Sequence, residues 1–122
     1  KIKEKYFLNT AASLIHRSIS EMVKFVTFMG GKPNTVYGLA GLGDLYVSAI
    51  GGRNSKMGKY LGDGYTYNNA KEKYMKDITV EGAELALEIG PIILNKFQSE
   101  DYPLMFNLLE TICSNKKLKI NW

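Results

Sequence analysis

Helical spacing of apolar residues governs the first 28 residues and constrains the fold more than any other feature. Between residues 3 and 28 the recurring apolar positions are Phe7, Ala11, Leu14, Ile15, Ile19, Met22, Val23 and Val26. Recurrence at three and four positions predicts an amphipathic α-helix, and the stripe is expected to pack in a core. Gly30 and Gly31 predict its end, because glycine favours helix C-termini and Pro33 cannot continue the helix.

The rest of the chain repeats helical patterns, whereas the alternation typical of strands is scarce. Further helices are predicted over residues 34–37, 42–50, 54–61, 67–75 and 79–97, and after Pro103. Asn54 or Ser55 is expected to cap the third of these, and Pro91 is expected to kink the fifth. The last two apolar faces are predicted to be Leu85, Ile89, Ile92, Ile93 and Phe97, and then Leu104, Leu108, Leu109 and Ile112. The sequence therefore predicts an all-α fold of six or seven helices.

Length, charge and cysteine content favour a single domain from a reducing compartment, without a membrane span. A chain of 122 residues is the size of one domain, residues 1–122, and its single cysteine, Cys113, fits a packed thiol in a reducing, cytoplasmic compartment. No apolar run reaches the roughly 20 residues that span a bilayer. The net charge of +4 suits an anionic ligand, but lysines such as Lys71, Lys73 and Lys76 are interpreted as a solvated face. Nucleic acid is therefore not expected as a partner.

The glycine-rich segment from Gly38 to Gly58 carries the polar residues best suited to chemistry. Asp44, Ser48, Arg53 and Asn54 fall within it. Glycines let the backbone approach a ligand, and arginine offers a planar fork of donors that suits phosphate. A helix-turn-helix corner with solvated polar residues is the alternative. The glycines do not form a dinucleotide-binding fingerprint, because no strand pattern precedes them.

Five stretches, which follow one another along the chain in the order that the family has, resemble one family. GLAGLGDL and GGRNSKMG, at residues 38–45 and 51–58, resemble the C-terminal, substrate-binding domain of NAD(P)-dependent glycerol-3-phosphate dehydrogenase. The stretch from Asn9 to Met22 resembles a helix of that domain, and residues 80–82 resemble its cofactor loop. Residues 101–104, followed by an apolar helix, agree as well. Departures occur at Ala11, where the family has Lys, and at Ser18, where it has Gly.

The resemblance implies a helical domain of the 6-phosphogluconate dehydrogenase-like type and a set of site residues. Asp44 is implied as catalytic, beside a lysine supplied from an upstream motif. The implied substrate-binding residues are Asp44, Ser48, Gly52, Arg53 and Asn54, and the implied cofactor-binding residues are Arg53, Thr79 and Glu81. NAD or NADP would be held mostly by an N-terminal Rossmann domain upstream of residue 1. We therefore expect the fragment alone to be inactive. We expect its ligand to be a small phosphate-containing substrate. The resemblance leaves a homodimer open.

Structural explanations compete with these roles. Asp44 could cap a helix, Arg53 could pair with a surface carboxylate, and Glu81 could favour a helix N-terminus. His16 is interpreted as a surface or structural residue rather than a metal ligand, and Arg17 is left without a role. Two other functions stay open: a related hydroxyacid dehydrogenase domain, and a stand-alone helical interaction module.

Overall fold

Seven α-helices make up most of the chain in the computed structural model, which describes residues 7–121. They are α1 (Leu8–Phe28), α2 (Pro33–Tyr37), α3 (Asp44–Ile50), α4 (Arg53–Gly62), α5 (Tyr67–Tyr74), α6 (Glu81–Lys96) and α7 (Pro103–Cys113). A π-helical turn at Leu39–Gly43 precedes α3, and residues 7–121 contain no strand. The all-α prediction is confirmed. The predicted helix start at residue 3 lies outside the described residues.

The chain divides into two compact units, one ending at Leu45 and one beginning at Tyr46. In the first unit α1 packs against α2 and the π-helical turn. Gly30 and Gly31 end α1 as predicted, and the N–H of Gly31 donates to the carbonyl of Val26 at 2.8 Å. The prediction that the α1 stripe is core is wrong. Its members are half-buried or exposed, Phe7 being 62% exposed, and the buried residue of α1 is Glu21.

The second unit is built around a core shared by α4, α5 and α6. Its buried members are Met57, Leu61, Tyr67, Ala70, Met75, Val80 and Ala83. Helix α7 packs on α6 and buries Leu104 and Leu109, as predicted. The predicted faces are wrong at Leu85, Ile92 and Leu108, which are exposed. Helix α6 buries Ile93, as predicted, and also Ala83 and Gly90. The absence of a side chain at Gly90 lets α7 approach closely, with Cys113 and Leu109 against it.

Helix ends follow the predictions in some places and depart from them in others. Pro103 is the first residue of α7, as predicted, where its missing N–H costs nothing. Helix α6 continues through Pro91 to Lys96, and the predicted kink stays a prediction. The cap predicted for α4 is wrong: Gly52 is its N-cap, so Asn54 and Ser55 lie inside the first turn.

Candidate functional site

A tight corner between α3 and α4 brings Arg53 to the start of a helix. Gly52 has φ of 107°, a conformation that glycine adopts without strain. The Ser55 hydroxyl donates to the carbonyl of Ala49 at 3.3 Å, which fastens the end of α3 to the first turn of α4. The N–H of Lys56 donates to the carbonyl of Gly52 at 3.0 Å. The conformation of Gly52 thus sets the direction of the first turn of α4, which carries Arg53 and Asn54.

The start of α4 meets the start of α6 through two contacts. The guanidinium of Arg53 forms an ion pair with the carboxylate of Glu81. Asn54 Oδ1 accepts a hydrogen bond from the N–H of Gly82 at 3.0 Å. Residues 53 and 81 are far apart in sequence, so the fold itself joins them. We name this pair of contacts the α4–α6 junction.

The ion pair of the α4–α6 junction is exposed to solvent. The side chains of Arg53 and Glu81 are 56% and 53% exposed, so water and salt screen their attraction. Such pairs contribute about 0–1 kcal/mol to stability. The structural explanation anticipated for Arg53, pairing with a surface carboxylate, is therefore realised. Arginine carries five N–H donors, so this pairing does not prevent a second contact with an anion.

Glu81 also fulfils its structural alternative. It is the first residue of α6, where the helix dipole favours a negative charge. Thr79 is exposed in the segment just before it. The three residues predicted to contact the cofactor therefore lie around the α4–α6 junction or directly before it.

Asp44 and Ser48 both belong to α3. Asp44 is exposed, and its backbone angles of −64° and −42° are helical. A helix N-cap has extended backbone angles, so Asp44 does not cap α3, and that structural alternative is wrong. Ser48 lies one turn further along and is half-buried. Asp44 lies in the first unit and Arg53 in the second, and their convergence on one substrate stays a prediction.

A cavity of about 500 Å³ lies beside the α3–α4 corner. Its lining residues are Ile50, Gly51, Gly52, Ser55, Lys56, Lys59, Tyr60 and Asp63. Gly52 is the one predicted site residue in this lining. Two lysines give the cavity a basic side, which suits an anionic group.

Lys71 is a functional candidate that the sequence analysis missed. Its ammonium donates to the carbonyl of Met75 at 2.8 Å, to that of Lys76 at 3.3 Å and to that of Ile78. The side chain is half-buried, so the prediction of a solvated face is wrong at this position. The available signal was its place in the last turn of a helix, where a lysine can bond the final carbonyls.

A cluster of three tyrosines lies near the C-terminal ends of α4 and α5. The rings of Tyr60 and Tyr74 stack with centroids 4.5 Å apart, and Tyr65 meets both edge-on. The hydroxyls of Tyr65 and Tyr74 are 2.9 Å apart. This hydrogen bond lowers the pKa of Tyr74, which Lys73 lowers further. The cluster packs around the α4–α5 turn, and its Tyr60 also lines the cavity beside the α3–α4 corner.

The environments of Cys113 and His16 agree with their interpretation as a packed thiol and a surface residue. The Cys113 thiol donates to the carbonyl of Ala86 at 3.2 Å, and burial raises the pKa of this thiol. His16 is exposed on α1. Among residues 7–121, no three His, Cys, Asp or Glu side chains are grouped to hold a metal ion. No helix in this part of the chain has the length and apolarity to cross a membrane.

Comparisons with known proteins agree on one family. Residues 3–120 match the family model described as "NAD-dependent glycerol-3-phosphate dehydrogenase C-terminus". Proteins named glycerol-3-phosphate dehydrogenase (NAD(P)+) from Chlamydia abortus and Chlamydia pneumoniae are 34% and 36% identical over 113 residues, 91% of this chain. One from Chlamydia trachomatis serovar D is 42% identical over 86 residues, 69% of this chain and 25% of that protein.

The match covers only part of these relatives. The chain spans 33% of the length of the Chlamydia abortus and Chlamydia pneumoniae proteins. No solved structure matches the chain significantly.

Proposed function

The chain belongs to the family of NAD-dependent glycerol-3-phosphate dehydrogenase C-terminal domains, and from this premise we propose that it is the substrate-binding part of such an enzyme. The proposed enzyme interconverts dihydroxyacetone phosphate and sn-glycerol 3-phosphate with NAD(H) or NADP(H). The observation that carries the proposal is the α4–α6 junction. It joins Arg53, implied for the phosphate, to Glu81, implied for the cofactor, and it joins Asn54, also implied for the phosphate, to the neighbouring Gly82.

The substrate phosphate is proposed to bind at the start of α4. The guanidinium of Arg53 supplies a planar set of donors, and Asn54 can donate through its amide nitrogen while its oxygen holds Gly82. Backbone N–H groups of a helix start favour an anion as well. Gly52 leaves room for close approach, and the hydroxyl of Ser48 is proposed to hydrogen-bond the substrate.

The chemistry of Arg53, Thr79 and Glu81 fits a nicotinamide dinucleotide. A guanidinium suits phosphate oxygens, while a hydroxyl and a carboxylate suit ribose hydroxyls. All three side chains are exposed, so a neighbouring domain or ligand can reach them. When bound, the cofactor supplies or accepts a hydride. The choice between NAD and NADP is proposed to rest with residues of the N-terminal domain.

Asp44 is proposed to orient a lysine that the N-terminal Rossmann domain supplies. A carboxylate beside an ammonium fixes its position and its charge, so that the lysine can exchange a proton with the substrate oxygen. We infer a complete polypeptide in which this chain is the C-terminal domain and works in the cytoplasm, where the lone thiol stays reduced. A homodimer of that polypeptide is a further prediction.

Turnover by the complete polypeptide tests the proposal. We expect NADH or NADPH to be oxidised when dihydroxyacetone phosphate is added, and far more slowly with dihydroxyacetone, which lacks the phosphate. Absorbance of the reduced nicotinamide gives both rates. Oxidation of 3-hydroxy acids without action on dihydroxyacetone phosphate would instead identify a related hydroxyacid dehydrogenase. Absence of turnover with every substrate and both cofactors would favour an interaction module.

A further inference from the structure

We propose that Lys71 is a positioning residue that holds residues 75–80 in the shape required for the α4–α6 junction. This inference rests on the proposed function for its kinetic consequence, and its structural part can be tested separately. Lys71 touches none of the residues proposed to bind substrate or cofactor. It acts through the backbone that leads into α6.

The ammonium of Lys71 donates to three of the backbone carbonyls of the loop. An ammonium carries three N–H groups, and the carbonyls of Met75, Lys76 and Ile78 all accept from it. The three carbonyls lie on one short segment of backbone. Residues 75–80 form neither helix nor strand, so no regular secondary structure supplies hydrogen bonds to these carbonyls, and the Lys71 side chain supplies them instead.

Core packing holds the two ends of this loop and also Ile78, and Lys71 adds hydrogen bonds to the exposed part between them. Met75 and Val80 are 0% and 1% exposed, so packing in the core fixes both ends. Between them, Lys76 and Asp77 are exposed, and the N–H of Ile78 donates to the carbonyl of Met75 at 3.1 Å. The Lys71 ammonium thus supplies the charge-assisted bonds that select one backbone path between two fixed points.

The path of the loop decides where α6 begins. Val80 is the N-cap of α6, and Glu81 and Gly82 are its first two residues. These two residues make the α4–α6 junction with Arg53 and Asn54. The junction is exposed and its ion pair is weak, so it cannot by itself impose the loop conformation. By ordering this loop, Lys71 is therefore proposed to fix the positions of the Arg53 and Asn54 side chains before substrate binds.

The test replaces Lys71 by methionine in the complete polypeptide. This substitution keeps an unbranched apolar stem and removes the charge. We expect the amide of Gly82 to exchange with solvent about tenfold faster, because its bond to Asn54 is formed less often. The KM for dihydroxyacetone phosphate should rise about 5- to 10-fold while kcat changes less than about twofold. Lys73→Met is the matched control on the same helix. Its ammonium lies over the Tyr74 ring, 5.1 Å from the centroid, and both measurements should stay at wild-type values.

Chemical rescue separates positioning from general stability. Lys71→Ala removes three carbons and the ammonium, which n-propylammonium can supply. We expect this ion to lower the raised KM at least threefold, whereas tetramethylammonium, which has no N–H donor, should not. A lower melting temperature with unchanged KM would overturn the proposal, and so would a raised KM with unchanged exchange at Gly82. If the wild-type polypeptide fails to act on dihydroxyacetone phosphate, the proposed function fails, and exchange at Gly82 still decides the role of Lys71.

Discussion

Replacement of Gly82 by alanine offers a sharp test of the α4–α6 junction. A Cβ atom added at Gly82 would lie 3.0 Å from Asn54 Oδ1 and 3.3 Å from Asn54 Cγ. These contacts are too close, and the atoms belong to the end of a flexible side chain. The Asn54 amide should therefore retreat by a few tenths of an ångström, which weakens its hydrogen bond with the N–H of Gly82.

Two opposing contributions set the stability of Gly82→Ala. Alanine in place of a helical glycine stabilises by up to about 1 kcal/mol. Loss of the hydrogen bond from Gly82 costs about 0.5–1.5 kcal/mol. The two should nearly cancel, so the apparent Tm of the complete polypeptide should change little. The displaced Asn54 should weaken phosphate binding by about 1 kcal/mol, which raises the KM for dihydroxyacetone phosphate about fivefold.

Gly58→Ala is the matched control. Gly58 lies inside α4, and a Cβ added there meets nothing within 4 Å. This variant should gain the helical stabilisation of up to about 1 kcal/mol and keep wild-type kinetics. If Gly82→Ala gains as much stability as Gly58→Ala and keeps its KM, the junction does not position Asn54 and the reasoning is refuted.

Three further predictions concern single residues. Asp44→Asn in the complete polypeptide should lower kcat about 10²-fold with little change in Tm; unchanged kcat between about pH 6 and 9 would remove Asp44 from catalysis. Arg53→Lys should lower kcat/KM about 30- to 1000-fold, because a point charge replaces the planar fork. A loss under about threefold would place the phosphate elsewhere. Cys113 should react with iodoacetamide more slowly than a free thiol at neutral pH, since its raised pKa keeps it protonated. Its rate should climb only at higher pH, and rapid alkylation at neutral pH would contradict the packed-thiol interpretation.

Glycine and proline signals in the sequence predicted the ends of two helices correctly. Gly30 with Gly31 and the proline at position 103 act through their own backbone preferences, and both mark helix ends in the structure. The buried face of α6 was not predictable in the same way. Periodicity identifies apolar residues such as Leu85 and Ile92, but α6 meets α7 at Gly90, where an added Cβ would lie 2.6 Å from Cys113 Sγ. Which face is buried depends on how closely a second helix approaches, and no single helix encodes that distance.

The candidate site shows the same division. The chemical types of Arg53 and Asn54 suggested an anion site, but only the resemblance to a family connected them with Glu81. Spacing along the chain cannot predict that two helix starts meet, because this depends on the shared core of α4, α5 and α6. Lys71 was missed because charge patterns predict exposure, whereas its stem is half-buried and its ammonium is satisfied by backbone carbonyls.

The uneven distribution of the core has a consequence for how this chain loses its structure. Val36 is the buried apolar side chain of the first unit among the described residues, whereas the second unit holds the other members of the core. Cooperative opening of a segment needs less free energy where fewer apolar contacts are broken. In the chain taken alone, α1 and α2 should therefore open before α4, α5 and α6. Asp44 lies in the unit that opens first, so in the chain taken alone the surroundings of this carboxylate should be lost before the core of the second unit unfolds.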